Sequence, residues 1–182
     1  MSASSTVWQG AGRRIHMQEV GTRDGLQMEQ AFVPTEEKIA LVNALSNAGL
    51  SKIEVTSFTS PTAIPALRDA EIVMREITRL PGTVYTALVP NVRGAERAIE
   101  ARTDELNLVM SASETHNISN LRMTREQSFA SLAQVVATAQ AAQVAVNVSL
   151  SCVFGCPMEG NVHASAVFDW VQRFADLGVR GI

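Results

Sequence analysis

The sequence has no apolar run approaching the ~18 residues that mark a membrane-spanning helix, and its start lacks the apolar block of a secretory signal. A soluble, intracellular chain is the expectation. Residues 1–14 hold Ser, Gly and two arginines without an acid. That composition is weakly transit-like but short, so the cytoplasm is the expected compartment and the stretch is expected to be a flexible N-terminus. Charge of one sign is also missing. The formal net charge is -3 and neither half carries a basic stripe, which argues against nucleic acid or an anionic membrane as partner and leaves a small molecule. Cysteine is scarce: Cys152 and Cys156, within Ser-Cys-Val-Phe-Gly-Cys-Pro, are a poor disulfide framework for an intracellular chain, so reduced thiols are expected. Zinc would need further ligands at matched spacing, and His16, His116 and His163 are scattered.

What is present is an alternation of strand and helix patterns over a single domain of 182 residues, long enough for one sizeable core. His16 to Val20 reads as a first strand. A helix follows Pro34, with Thr35 as N-cap, Glu36 and Glu37 suiting the dipole, and Ile39, Val42 and Leu45 at helical spacing. Gly49 closes it ahead of the strand Lys52 to Thr56. The pattern repeats with a helix over Leu67 to Thr78, a strand over Val84 to Val89, a helix over Val92 to Ala101 and a strand over Glu105 to Met110. A loop rich in Ser and Asn is expected next. Thr124 and Gln127 form a capping-box pattern for a helix reaching Gln143; Val144 to Leu150 is strand five. A helix over Ala164 to Leu177 ends at Gly178, and Val179 to Ile182 opens a sixth strand.

Such alternation requires a parallel sheet, either open and doubly wound or closed as a barrel. Periodicity does not separate the two. The first turn does favour one, because it reads Gly21-Thr22-Arg23-Asp24-Gly25 where a dinucleotide fold wants Gly-x-Gly-x-x-Gly. The expected fold is therefore α/β, a (β/α)₈ TIM barrel truncated after about five strand–helix units.

In such a barrel the chemistry sits at the C-terminal ends of the strands. Arg23 and Asp24 fall there, and the pair suits a divalent cation and a developing oxyanion; it equally suits a solvated turn shaped by Gly25. Glu54 lies inside an apolar strand, where a carboxylate needs a cation or donors. It pairs with Arg23 or alternates outward to a helix lysine, and Glu19 poses the same question. Gln27, Ser57 and Ser113 are uncharged donors near strand ends, suited to a substrate carboxylate or to a loop or cap. Cys152 and Cys156 flank a turn with Gly155 and Pro157, and packing is their default role.

The stretch Glu19-Val20-Gly21-Thr22-Arg23-Asp24-Gly25-Leu26-Gln27 closely resembles the first-strand signature of the hydroxymethylglutaryl-CoA lyases, within the metal-dependent aldolase and Claisen-type barrel superfamily. Ala48-Gly49-Leu50, Ile53-Glu54-Val55-Thr56-Ser57-Phe58 with Ser60-Pro61, Pro90-Asn91, Ser113-Glu114 and Ser151 to Gly160 resemble that family in the same order, over nearly the whole chain. The resemblance implies cleavage of 3-hydroxy-3-methylglutaryl-CoA, an acyl-CoA, to acetyl-CoA and acetoacetate with Mg²⁺ or Mn²⁺. It implies Arg23 as the cation at the thioester oxygen, Asp24 as a metal ligand and Glu54 as support.

The family's His-x-His pair, Asn ligand and glycine-rich loop with a reactive cysteine have no counterpart here, and neither Cys152 nor Cys156 fills that cysteine's place. Five units would leave two unpaired parallel edges and an open apolar interior, which predicts aggregation or completion by other polypeptide, a homo-oligomer included. Activity alone is not expected. The rival readings are a lyase or aldolase for a related hydroxyacyl-CoA or ketoacid, and a non-catalytic fragment acting with a partner chain.

Overall fold

The computed structural model describes residues 17–182; the proposed flexible segment 1–14 and His16 lie outside the described residues. Strand β1 (Gln18–Glu19) runs into a π-helical turn (Gly21–Gly25), and then helix α1 (Thr35–Asn47) leads to β2 (Lys52–Ser57). A 3₁₀ turn (Pro65–Leu67), α2 (Ala70–Glu76), β3 (Val84–Leu88), α3 (Val92–Glu100) and β4 (Glu105–Ser111) follow. The chain continues through α4 (Glu114–Leu121), α5 (Arg125–Ala141), β5 (Ala145–Ser151) and α6 (Ala164–Asp176). All five strands pair in parallel in the order β1-β2-β3-β4-β5. Spatial order equal to chain order belongs to a barrel, since a doubly wound sheet reverses at a switch point. Beyond β5, Arg180 N donates to Val146 O at 2.7 Å and Gly181 O accepts from Val148 N at 3.0 Å, so the expected sixth strand is present as one bridge. Among the described residues no helix is long and apolar enough to cross a membrane.

Alternation along each strand assigns the two faces. Ile53 and Val55, Leu106 and Leu108, and Val146 and Val148 point into the core between sheet and helices, with Val42, Met74, Ala98, Val135 and Phe174 opposite them. Each such buried aliphatic contributes about 1.5–3 kcal/mol, so this layer holds the helices to the sheet. The intervening residues are polar. Lys52 pairs with Glu105 across β2 and β4, and Glu54, Asn107, Asn147 and Ser149 are joined by side-chain hydrogen bonds. The expectation of an apolar interior is thereby corrected: the concave face is an ion-paired and amide-bonded surface, and the apolar layer lies under the helices.

Two local expectations also change. Thr35 is inside α1, not its cap; Pro34 occupies the cap position without a side-chain bond, and the Thr35 hydroxyl donates to Asp69 Oδ2 at 2.9 Å. The buried Lys38–Asp69 pair, 2.7 Å apart, draws that hydroxyl away from the backbone. The Ser- and Asn-rich loop is helix α4. Its buried Asn117 accepts from Ser111 N (3.0 Å) and donates to Met123 O and Ser128 Oγ (both 2.8 Å), tying the helix to β4 and α5 with an amide where an apolar anchor is usual. The Thr124–Gln127 capping box on α5 is formed as expected.

Candidate active site

The turn after β1 is a π-type turn in which Arg23 N and Asp24 N both donate to Val20 O, at 3.0 and 2.7 Å. Such wide turns recur where a side chain is redirected for function. Thr22, buried beneath it, donates its hydroxyl to Glu54 O at 2.8 Å and pins the turn to β2. Gly25 is not there for its backbone freedom, because an added Cβ would meet nothing and its φ is not positive.

Arg23 is directed back over the strand ends. Its Nε donates to Glu54 Oε1 at 2.5 Å and its Nη1 to Asp24 Oδ1 at 2.7 Å. Glu54 is 1% exposed, and a carboxylate so placed is unstable unless both oxygens are engaged. They are: Oε2 accepts from Asn107 Nδ2 at 2.9 Å and from Gln18 Nε2 at 3.2 Å. The Glu54 question is thus resolved inward, toward Arg23. Asp24 is the outermost member, its side chain 63% exposed against 14% for Arg23. Two of the five N–H groups of the guanidinium are engaged by side chains, and none of the described residues accepts from Nη2. The arrangement can present a fixed cation to an anionic atom at the open end of the sheet.

The other expected residues are not gathered there. Ser57, buried past the bulge in β2, shares a 2.7 Å hydrogen bond with Thr59 Oγ1 and accepts from Thr59 N at 3.2 Å, so its hydroxyl closes a local turn. Ser113 is buried as the N-cap of α4, accepting from His116 N at 3.1 Å. Gln27 lines a separate cleft of about 370 Å³ with Phe32, Ala63, Pro65 and Arg68, and no hydrogen bond among the described residues joins it to Arg23 or Glu54. Glu19 accepts from Gly21 N at 2.6 Å and serves the turn. Conversely, Gln18, Asn107, Asn147 and Ser149 belong to the Glu54 network and are not among the expected residues.

Past β5, the two cysteines are free thiols in a turn where Cys156 N and O pair with Gly160 O and N, at 2.7 and 2.8 Å. Burial pushes the Cys156 thiol up, but hydrogen bonds involving the Ser113 hydroxyl, the Glu159 and Met158 backbone and the Cys152 thiol outweigh it and leave the pKa below the usual thiol value. Glu159 reaches Thr115 N at 2.6 Å, and the Thr115 and Ser113 hydrogen bonds hold its carboxyl below the usual range. This loop is fastened to the start of α4, the packing role expected of it.

Five parallel strands wound in chain order, with an arginine–carboxylate pair over their C-terminal ends, are part of a (β/α)-barrel with its candidate site where such barrels carry theirs. The chain belongs to the HMGL-like family, whose profile matches residues 14–182. A hydroxymethylglutaryl-CoA lyase of Bacillus subtilis is 45% identical over 167 residues, covering 92% of this chain and 56% of its own. The solved HMG-CoA lyase of Bacillus subtilis superposes with a TM-score of 0.89 at 45% identity, over 92% of this chain and 56% of that one. An HMG-CoA lyase of Acinetobacter baumannii, in complex with coenzyme A and 3-methylmalate, superposes with a TM-score of 0.86 at 46% identity, over 98% of this chain and 56% of that one. The chain therefore spans just over half the length of the relatives it matches.

Proposed function

We propose that this chain contributes the arginine-bearing part of a carbon–carbon lyase that cleaves 3-hydroxy-3-methylglutaryl-CoA to acetyl-CoA and acetoacetate. The observation that carries the reading is the Arg23–Glu54 pair at the strand ends with Asp24 beside it. Cleavage puts negative charge on the thioester oxygen as acetyl-CoA leaves as its enolate. A preorganised donor at such an oxygen is worth about 2.7–4 kcal/mol, provided it does not reorganise during the reaction. Arg23 takes that role, with Nε held by Glu54 and Nη2 left for the oxygen. Glu54 positions Arg23 and neutralises it between turnovers. The acyl-CoA class is supported by the coenzyme A bound to the Acinetobacter baumannii lyase.

Asp24 is proposed as one ligand of a divalent cation, Mg²⁺ or Mn²⁺. Its exposed carboxylate suits a hard ion, yet such ions take about six oxygen ligands, and the described residues contain no group of three His, Cys, Asp or Glu side chains able to form a centre. Asp24 thus supplies one donor, and the described residues alone do not complete a metal centre. Gln27 remains a proposed substrate contact, as do Ser57 and Ser113, whose hydroxyls also make local hydrogen bonds. Cytoplasm is the proposed compartment.

The test is a chimera in which this chain is continued by the part of the Bacillus subtilis lyase beyond the matched region. Mn²⁺-dependent cleavage of 3-hydroxy-3-methylglutaryl-CoA is expected, with Arg23→Gln reducing kcat by about 10²–10³-fold. A folded chimera that is inert beside an active parent lyase would overturn the reading. Turnover restricted to another hydroxyacyl-CoA would instead move the substrate assignment within the same barrel.

A further inference from the structure

The concave face carries a chain of amides that the proposed chemistry does not employ. Asn107, at the middle of β4, is 4% exposed, and both ends of its side chain are engaged. Nδ2 donates to Glu54 Oε2 at 2.9 Å, and Oδ1 accepts from Asn147 Nδ2 and Ser149 Oγ, both at 3.1 Å. Chemistry fixes this orientation, since an ionised carboxylate only accepts and so must face the NH₂ end of the amide. Asn147 and Ser149 then donate to the carbonyl end.

An ion pair through one carboxylate oxygen leaves the group free to turn about its Cγ–Cδ bond, and the attached guanidinium swings with it. Engaging the second oxygen from a different strand removes that freedom. Gln18 also reaches Oε2, but at 3.2 Å and from β1, the short edge strand that leads into the turn bearing Arg23. Asn107 is the member that ties Glu54 to the interior of the sheet, where β4 pairs with β5 along its full length.

We propose that Asn107 is a positioning residue: held by Asn147 and Ser149, it locks the Glu54 carboxylate and thereby the direction of the Arg23 guanidinium. What Arg23 then acts on rests on the preceding reading; how it is held does not. The coupling runs over five residues, from Asn147 and Ser149 on β5 through Asn107 on β4 and Glu54 on β2 to Arg23 in the turn after β1, and it makes the two asparagines part of the site although neither reaches a reacting atom.

The experiment is ¹⁵N NMR of hydrogen exchange at arginine Nε–H groups in the full chain. Arg97 Nε, bound to Glu71 at 2.6 Å, and Arg125 Nε, bound to Glu114 at 2.9 Å, serve as references outside the network. In Asn107→Leu, of similar volume, exchange at Arg23 Nε–H is expected to quicken by roughly tenfold or more, the factor a hydrogen bond to a charged group corresponds to, with the references unchanged. A rise shared by all three arginines would mean general loosening and would overturn the proposal, as would no change at Arg23. If Asn107→Leu does not fold, the pair Asn147→Ala and Ser149→Ala is read in its place, with a smaller Arg23-selective rise expected and the same two outcomes against it. No substrate, metal or turnover enters the measurement, so an inert lyase chimera and a failed positioning role give separate results.

Discussion

At Glu54 the energetics follow from burial. A carboxylate 1% exposed, against a guanidinium 14% exposed, leaves an uncompensated charge if its partner is removed. Removing one side of such a buried pair costs about 3–5 kcal/mol, whereas exposed pairs are worth ~1 kcal/mol or less. Glu54→Ala is therefore expected to lower unfolding free energy by about 3–5 kcal/mol in urea titration. A loss under about 1 kcal/mol would show that Arg23 finds water on its own and that the pair is effectively at the surface. The charge in an apolar strand made Glu54 legible in the sequence, and Arg23 followed as the nearest cation. Asn107 and Asn147 were not legible, because a neutral amide on a strand carries no such cost signal and their partnership depends on the register of β4 against β5. The alternation Glu105-Leu106-Asn107-Leu108, polar on one face and apolar on the other, held the usable hint. Ser57 and Ser113 bond within the turn and helix cap that follow their strands, as hydroxyls near strand ends readily do.

Among the elements, helix ends show what local sequence decides. The capping box at Thr124 was readable and is formed, so Thr124→Ala is expected to cost about 1 kcal/mol, seen as a lower urea midpoint at unchanged m-value. Helix α4 was not read from composition, since its buried Asn117 gains meaning only from β4 and α5. The packing of α2 on α3 carries a pH dependence. Burial pushes the Glu71 carboxyl up, but hydrogen bonds from Arg97 and its own backbone, with the charges of Arg97 and Arg75, hold it below its ordinary value of 4.5. A carboxyl lowered in the folded state contributes stability that is full above the unfolded value and lost as pH falls through the folded one. The stability gap between the parent and Glu71→Gln should therefore be constant above pH 4.5 and close below it, measured by thermal unfolding across that range. A gap independent of pH would place Glu71 outside the ion pair in solution.

For the molecule as a whole, the two faces of the sheet have different consequences. The concave face is polar, with an ion pair and bonded amides of its own and the Thr86 hydroxyl left without a partner among the described residues, so its exposure to water is not itself a reason to aggregate. The apolar liability lies elsewhere, along β5 and α6, where Val153, Phe154, Val167, Phe168, Val171 and Ile182 line an open cleft, with Phe154 fully and Phe168 69% exposed. Contiguous apolar surface of that kind drives association, and the outer edge of β5 is covered only by the short bridge to Gly181 beside it. The expected outcome is concentration-dependent self-association in sedimentation velocity, without saturation by added salt. Burying a phenylalanine is worth about 1.5–3 kcal/mol, so Phe154→Ser with Phe168→Ser should weaken association by roughly two to four orders of magnitude. Substitutions on the concave face away from the cleft, such as Gln18→Ala, should leave it unchanged. A parent chain that stays monomeric at high concentration would mean that this cleft closes on itself in solution, and that the barrel's open edge is protected by rearrangement of β5 and α6.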